Sequence, residues 1–323
     1  MIEGKKVLIT GGAGFIGVRI AERLSPHNQI TLLDIDLENV LPYSSLADDD
    51  RVRKIKGDVR DQGLVEEEVA RCDILLHYAS ILGVQKVIDN DLATIDTIIL
   101  GTRNVLEAAR KNKRIERLVY ISTSEVYGNV MDTGEGALAS IGTDNDARLC
   151  YAASKLMGEH QVWAYHRNFG LPTVIVRPFN IYGPRRKASN AIGHFVVKAL
   201  SNQDVQIHGD GSQLRSWCYI EDFCDGMISC ISKPEAVSQD FNLGNPVTAT
   251  TIYDLAHRIV RLAQSKSVVR TTAHTFSDIG VRLTAAAKAR RLINYEPRYD
   301  IDQGLVPTIK WFREHLDDFS HWC

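Results

Sequence analysis

The sequence predicts a doubly wound α/β fold, in which helices cover both faces of a parallel sheet. Short apolar runs rich in valine, leucine and isoleucine recur up to Asn180 and are typical of buried parallel strands. Segments with helical spacing separate these runs, which is the alternation expected of a parallel sheet. A glycine-rich turn joins the first strand directly to the first helix, as in sheets that bind dinucleotides.

The glycine-rich turn lies in the segment KKVLITGGAGFIG, residues 5–17. The apolar run Val7–Ile9 precedes it, and helical spacing begins directly after it. Glycine is needed because a Cβ atom would hold a diphosphate away from the backbone N–H groups, and the helix N-terminus adds a partial positive charge. The pattern therefore predicts a Rossmann-type dinucleotide site, with cofactor contacts from Gly11, Gly14, Phe15, Ile16 and Gly17.

A second apolar strand, Ile30–Leu33, ends in Asp34. A carboxylate at this strand end accepts hydrogen bonds from the adenosine ribose of a dinucleotide. It would also repel a 2′-phosphate, so we expect NAD rather than NADP as the cofactor.

Two further strand ends are candidates for cofactor contact. The strand Val52–Lys56 is followed by Asp58 and Val59, and Asp58 either meets the adenine or caps the next helix. The strand Ile74–Tyr78 is followed by Ala79, whose small side chain lets a cofactor lie close to the backbone.

The candidate catalytic residues follow the fifth strand and begin a long helix. The strand Leu118–Ile121 runs into Thr123, and the helix Tyr151–Phe169 starts with Tyr151 and Lys155 on one face. A lysine beside a tyrosine is expected to lower the phenol pKa, so that Tyr151 acts as a base. Thr123 would orient the substrate hydroxyl, and Tyr151 and Lys155 would also touch the cofactor. Together with the glycine turn, these residues predict a hydride-transfer site.

The alternation of strands and helices breaks down near Tyr182. We therefore expect an NAD-binding domain at 1–181 and a smaller, interleaved substrate-binding domain at 182–323, with strands near 205–250 returning to the sheet. The patterns predict these elements: helices Ala191–Leu200, Asp222–Ile231, Ile252–Leu262, Ala285–Ile293 and Gln303–His315, and strands Val205–His208 and Trp217–Tyr219.

Composition excludes several classes of function. The 323 residues carry a net charge of −2, which leaves no basic footprint for nucleic acid, and no apolar run approaches a membrane span. The sequence begins with a strand rather than an apolar leader, so we expect a cytoplasmic protein without nucleic-acid or membrane partners. The six cysteines lack metal-ligand spacing, and we expect reduced packing residues and no metal site.

Motifs along nearly the whole chain resemble one family. They are GGAGFIG at 11–17, GDV at 57–59, STSEVYG at 122–128, YAASK at 151–155, RPFNIYGP at 177–184, GDGSQLRSWCYIED at 209–222 and FNLGNP at 241–246. The chain thus resembles an extended short-chain dehydrogenase/reductase of the NAD-dependent sugar-nucleotide epimerase/dehydratase family. The resemblance implies that Asn180 and Arg215 bind the diphosphate of a UDP-sugar. It also implies a homodimer built on the helices Asp91–Lys111 and Tyr151–Phe169.

Within the family, the run Thr123-Ser124-Glu125 resembles UDP-glucuronate decarboxylases. In those enzymes an arginine precedes a Lys-Ala pair by six residues, as Arg282 precedes Lys288. The resemblance implies that Ser124, Glu125 and Arg282 are catalytic and that Arg282 also binds the substrate carboxylate. Two features depart from the decarboxylase pattern: Ala285 replaces the usual Asp, and Arg185-Arg186-Lys187 replaces an acid-containing loop.

Other readings of these residues stay open. The chain is alternatively a UDP-sugar 4-epimerase or an NDP-sugar 4,6-dehydratase, with Glu125 as the base at C5 in the latter. In the non-catalytic alternatives, the Glu125 carboxylate only accepts hydrogen bonds from N–H groups of its turn, and Arg282 is a cation on the protein surface. Arg215 is otherwise part of a surface salt bridge. A non-catalytic NAD-binding scaffold is disfavoured, because it has no need of a base beside the cofactor.

Overall fold

A seven-stranded parallel sheet forms the centre of the computed structural model, which describes residues 2–130, 133–142, 145–186, 190–273 and 279–319. Its strands are β1 (Lys6–Thr10), β2 (Gln29–Asp34), β3 (Val52–Lys56), β4 (Ile74–His77), β5 (Arg117–Ile121), β6 (Thr173–Pro178) and β11 (Gln239–Leu243). They lie in the order β11-β6-β5-β4-β1-β2-β3. The chain starts at β1, moves outward to β3 and returns to β4 on the other side. The predicted doubly wound fold is therefore confirmed, and the strand order reverses between β1 and β4, where ligands bind in such sheets.

Helices cover both faces of this sheet. They are α1 (Phe15–Leu24), α2 (Gln62–Val69), α3 (Val84–Asp89), α4 (Asp91–Lys111), α5 (Leu149–Phe169), α6 (Ala191–Leu200), α7 (Ile220–Ser232), α8 (Ile252–Ala263), α9 (Ala287–Ile293), α10 (Ile301–Glu314) and α11 (Leu316–Phe319).

Two buried cores result from the alternation of side chains along the strands. On one face, Leu8, Leu75 and Tyr120 pack with residues of α4 and α5. On the other face, Ile9 and Leu76 pack with residues of α1 and α7. This packing fixes the carboxyl ends of the strands relative to α5, and those ends carry the candidate site.

Most short strands of the second half form small separate sheets. They are β7 (Ile181–Tyr182), β8 (Val205–His208), β9 (Leu214–Arg215), β10 (Cys218–Tyr219), β12 (Thr250–Thr251), β13 (Val269–Thr272) and β14 (Val281–Arg282). Strand β7 pairs with β10, β8 pairs with β13, and β9 lies between β12 and β14. Only β11 of the described later strands joins the main sheet, beside β6. The division into two domains near Tyr182 stays a prediction.

The cysteines of the described residues are free thiols. Among the described residues, Cys72, Cys218, Cys224 and Cys230 are buried free thiols and Cys150 is a half-buried one, whereas Cys323 lies outside them. No group of potential metal ligands occurs within the described part of the chain. No helix there is both long enough and apolar enough to cross a membrane.

Candidate active site

The glycine turn forms a tight junction between the ends of β1 and β4. Gly11 has a φ of +67°, and a Cβ atom there would lie 2.8 Å from the backbone nitrogen of Ala79. Ala79 in turn donates its N–H to Thr10 Oγ1 at 3.3 Å. Gly14 is the N-cap of α1 and offers no capping side chain, so the first N–H groups of this helix are available to an anion. This arrangement fits the diphosphate of a dinucleotide.

Asp34 lies at the carboxyl end of β2, against the same turn. Its Oδ2 atom accepts from the Ala13 N–H at 3.0 Å and its Oδ1 atom accepts from the Asp36 N–H at 3.1 Å. Burial raises the pKa of this carboxyl, and no cation in the described part of the chain forms an ion pair with it. An acceptor held in this way fits the ribose hydroxyls of NAD.

Asp58 and Val59, the two cofactor-binding candidates that follow β3, contact different parts of the protein. The carboxylate of Asp58 pairs with Arg60 at 2.6 Å, and Asp61 caps α2 instead, accepting the Leu64 N–H at 3.1 Å. The alternative that Asp58 caps this helix is therefore wrong, because the helix begins one turn further along the chain. Val59 is buried and lies next to Gly101 of α4. The cofactor contacts of Asp58 and Val59 stay predictions.

Tyr151 meets Thr123 at the end of β5. Both side chains are buried. Burial and the nearby Glu125 carboxylate raise the pKa of the Tyr151 phenol, whereas hydrogen bonding to Thr123 and Ser80 and the charge of Arg186 lower it. The geometry thus places two hydroxyls, a carboxylate and a cation around one phenol.

Lys155 lies one helical turn after Tyr151, and its Nζ atom donates to the Ile121 carbonyl at 2.7 Å. Burial lowers the pKa of Lys155 to about 7. That Lys155 makes the phenol more acidic stays a prediction, because the pKa of Tyr151 in this structure is raised overall. The physical reason is that both groups lie in a dry environment, where the desolvation cost of the phenolate is the largest effect.

Glu125 and Arg282 form the second half of the site. Glu125 is on the short turn Ser124–Tyr127, where Ser124 is buried and Thr123 Oγ1 accepts the Glu125 N–H at 3.2 Å. The Glu125 side chain contacts solvent, but the surrounding protein raises the pKa of its carboxyl, and the charges of Arg282 and Arg148 oppose this rise. Arg282 is 5% exposed and donates to the Gly128 carbonyl at 2.7 Å, so the surface-cation alternative is wrong.

The two residues expected to bind a diphosphate lie beside Arg282. Arg215 and Arg282 are register partners in the parallel pair β9 and β14. The Arg215 guanidinium donates to the carbonyls of Leu214 and Gly280 at 3.0 and 3.2 Å, and Asn180 donates its side-chain N–H to the Ser216 carbonyl at 2.8 Å. The structure therefore brings all three substrate candidates to one place. Their binding roles stay predictions.

Sequence reasoning missed two arginines at this site. Arg148 precedes Tyr151 by three residues and so shares its helix face, a spacing that was available as a signal. Arg186 lies in the loop after β7, with its guanidinium carbon 5.2 Å from the centre of the Phe15 ring. Its neighbour Arg185 fixes this loop through two hydrogen bonds to Glu22, at 2.7 and 2.8 Å. Lys187 lies outside the described residues.

Comparison with known proteins agrees with this arrangement. The model of the NAD dependent epimerase/dehydratase family matches residues 7–244. The chain belongs to this family. Its fold is the family's, its cofactor is NAD, and its relatives act on nucleotide sugars.

Similar proteins in this family carry out three different reactions according to their names. A UDP-N-acetyl-alpha-D-glucosaminuronate decarboxylase of Bacillus cytotoxicus is 32% identical, over 97% of this chain and 99% of that protein. A dTDP-glucose 4,6-dehydratase of Actinoplanes is 31% identical, over 95% and 98%. A solved UDP-glucuronic acid 4-epimerase of Bacillus cereus, in complex with UDP-glucuronic acid and NAD, is 25% identical with a TM-score of 0.87, over 96% and 99%. This family member is therefore an enzyme of nucleotide-sugar modification.

Proposed function

We propose that the protein is an NAD-dependent decarboxylase of UDP-glucuronate. The observation that carries the proposal is the position of the buried Arg282, which donates to the turn that carries Glu125 and whose charge acts on the Glu125 carboxyl. Glu125 in turn lies near Tyr151. A neutral hexose has no charged group that the Arg282 guanidinium could bind, whereas a uronate carries a carboxylate on C5. Arg148 and Arg186 add positive charge around the same place. The Bacillus relative named as a uronate decarboxylase supports this choice of substrate class.

The first chemical step is oxidation at the sugar C4 hydroxyl. NAD, when bound, supplies the acceptor for the hydride that leaves C4. Tyr151 takes the hydroxyl proton as general base, and Thr123 orients that hydroxyl by hydrogen bonding. Lys155 carries the nearby positive charge that favours the phenolate. The product of this step is a 4-keto sugar.

The second step is loss of carbon dioxide from that 4-keto sugar. The C5 carboxylate is now that of a β-keto acid, so the electrons of the breaking C–C bond move into the C4 carbonyl. Arg282 orients the carboxylate before the bond breaks, and Glu125 with Ser124 manages the proton that C5 gains afterwards. Return to C4 of the hydride removed in the first step then gives a UDP-pentose, whereas release before this return gives the 4-keto pentose and leaves the cofactor reduced.

A panel of nucleotide sugars distinguishes this proposal from the two alternatives. We would incubate the protein with NAD and UDP-glucuronate, UDP-glucose or dTDP-glucose and weigh the products. Loss of about 44 mass units, or about 46 where the 4-keto pentose is released, indicates decarboxylation. Loss of about 18 indicates dehydration, and an unchanged mass with a changed sugar indicates epimerisation. The proposal requires the first result with UDP-glucuronate. Either of the other two results with that substrate would contradict it.

We also propose that the protein is a homodimer built on α4 and α5. These two helices pack against each other, and each exposes large apolar side chains: Leu92 and Leu100 on α4, and Met157 and Phe169 on α5. Apolar side chains on neighbouring helices support a contact with a second copy. Sedimentation should show a dimer, and a Leu92→Glu substitution should shift it towards monomer. A natural chain that sediments as a monomer would refute this assignment.

A further inference from the structure

A buried charge network lies under the catalytic helix. Glu159 and Arg177 are 3% and 7% exposed, and Arg177 donates to both Glu159 oxygens, at 2.8 Å from Nε and 2.5 Å from Nη2. Ser122 also donates to Glu159. The third Arg177 nitrogen, Nη1, lies 2.9 Å from Asp240 on β11 and donates to Tyr127 at 2.8 Å. Burying a charged group costs free energy unless partners of opposite charge and hydrogen bonds compensate it. Removing one member of this network should therefore destabilise the others.

The network reaches the catalytic residues through two adjacent positions at the end of β5. Ile121 accepts the hydrogen bond of Lys155 through its carbonyl, and the next residue, Ser122, donates to Glu159. Glu159 follows Lys155 by four residues and therefore lies on the same face of α5. Thr123 comes directly after Ser122. The end of β5 is thus joined to α5 at two positions, Lys155 and Glu159.

The groups around Lys155 leave Glu159 as its main charged neighbour in the described part of the chain. His77 on β4 is near Lys155, but burial lowers its pKa to about 3, so it is neutral at physiological pH. Tyr120 on β5 has its ring centre 5.1 Å from Lys155 Nζ, and burial holds its pKa well above the ordinary value. Tyr151, on the same helix, is likewise protonated in this structure. The negative charge of Glu159 opposes the loss of the lysine proton.

We propose that Glu159 and Arg177 act as a positioning pair for Lys155, in which the carboxylate keeps the buried lysine charged and Arg177 holds the carboxylate. Without Glu159, a smaller fraction of Lys155 would be charged at physiological pH, and Lys155 would favour the phenolate of Tyr151 less. The inference rests on the proposed hydride-transfer site, but not on which sugar reaction that site performs.

The test compares Glu159→Gln with a double variant, Glu159→Gln with Arg177→Met. The single variant removes the negative charge that Glu159 places beside Arg177 and should lose stability for that reason alone, because an unpaired buried charge is destabilising. The double variant removes both charges, and Asp240 keeps Lys288 as its ion-pair partner. Thermal unfolding should therefore show the double variant to be folded, with a melting temperature closer to that of the natural chain.

The decisive readout is the protonation of Lys155 in the protein without substrate. It is followed by NMR of protein with ¹³C-labelled lysine, in which the Lys155 signal is identified by its loss in Lys155→Arg. We expect a titration midpoint near pH 7 in the natural chain, as the lowered pKa of Lys155 indicates. The midpoint should fall in the double variant, by less than the about 1 to 3 pH units typical when an opposite charge alone is removed, because the Arg177 cation is removed with it. An unchanged midpoint would overturn the inference and leave the proposed function untouched.

Kinetics give a second readout. The alkaline side of the pH profile of kcat should move to lower pH in the double variant, with KM little changed, because less of the lysine is charged. A folded double variant with the natural pH profile would show that the pair is only structural, which also contradicts the inference.

Discussion

Arg282 and Glu125 are far apart in the chain but electrostatically coupled in the structure. The hydrogen bond from Arg282 Nη2 to the Gly128 carbonyl, 2.7 Å long, holds the guanidinium at the end of the turn that carries Glu125. Its charge opposes the rise in the Glu125 pKa that the surrounding protein causes. A carboxylate and a guanidinium placed together next to a candidate base form a site with more functional groups than C4 oxidation requires.

Replacing Tyr151 by phenylalanine should abolish turnover while NAD binding survives, because only the proton acceptor is lost. The rate should fall by at least about 10²-fold, the lower end for losing a general base. Steady-state assays and NAD titration measure the two effects. Tyr165→Phe, on the same helix but paired with Glu107, is the matched control and should keep its activity. A Tyr151→Phe enzyme with a near-normal rate would remove Tyr151 from the mechanism.

Asp34 should set the preference for NAD over NADP through repulsion of the 2′-phosphate. Asp34→Ala should weaken the binding of NAD. It should also reduce the ratio of NAD affinity to NADP affinity, by about 10-fold or more. Titration of both cofactors measures the gap. Asp36→Ala is the control, because Asp36 is exposed and the variant keeps the backbone N–H that Asp36 donates to Asp34, removing only a nearby charge. Equal binding of NAD and NADP by the natural chain would show that the ribose assignment is wrong.

Arg282→Ala should weaken binding of UDP-glucuronate far more than binding of UDP-glucose. A charge-assisted pair contributes about 1.5–3 kcal/mol, so the ratio of the two affinities should change by about 10- to 100-fold. Calorimetry in a Tyr151→Phe background measures binding without turnover. The control is Arg290→Ala, since the Arg290 side chain is 70% exposed on α9. Equal losses for both sugars would mean that Arg282 serves only the diphosphate.

Glu125→Gln should separate oxidation from decarboxylation, because we place Glu125 after the hydride step. On adding UDP-glucuronate, the variant should still form NADH, visible by its absorbance, while carbon dioxide release slows by about 10²-fold. If NADH formation were lost in step with carbon dioxide release, Glu125 would belong to the oxidation step instead.

Much of the fold could be predicted because long elements carry strong periodic patterns. The helix predicted at Asp91–Lys111 matches α4 residue for residue, and strands β1 to β5 of the main sheet were all predicted. The two-residue strands β9 and β14 were not, because two residues are too short to show any period. Their pairing depends on contacts between distant segments, and it places Arg215 beside Arg282.

The candidate site was predictable where residues lie on one element and less so where loops supply them. Thr123, Tyr151 and Lys155 follow from a strand end and a helix face. No periodic sequence pattern indicates the position of Arg186. That position depends on the left-handed backbone of Arg185 and on the hydrogen bond from Arg185 to Glu22. The raised pKa of Tyr151 was also beyond the sequence, because desolvation depends on the packing of distant segments.

The most direct measurement of the central claim uses UDP-glucuronate labelled with ¹³C at the carboxyl carbon. The natural chain with NAD should release the label as carbon dioxide, in step with formation of a UDP-pentose or its 4-keto form, and the Tyr151→Phe variant should release none above background. If the natural chain consumed or epimerised the substrate while the label stayed in the nucleotide sugar, the protein would not be a UDP-glucuronate decarboxylase.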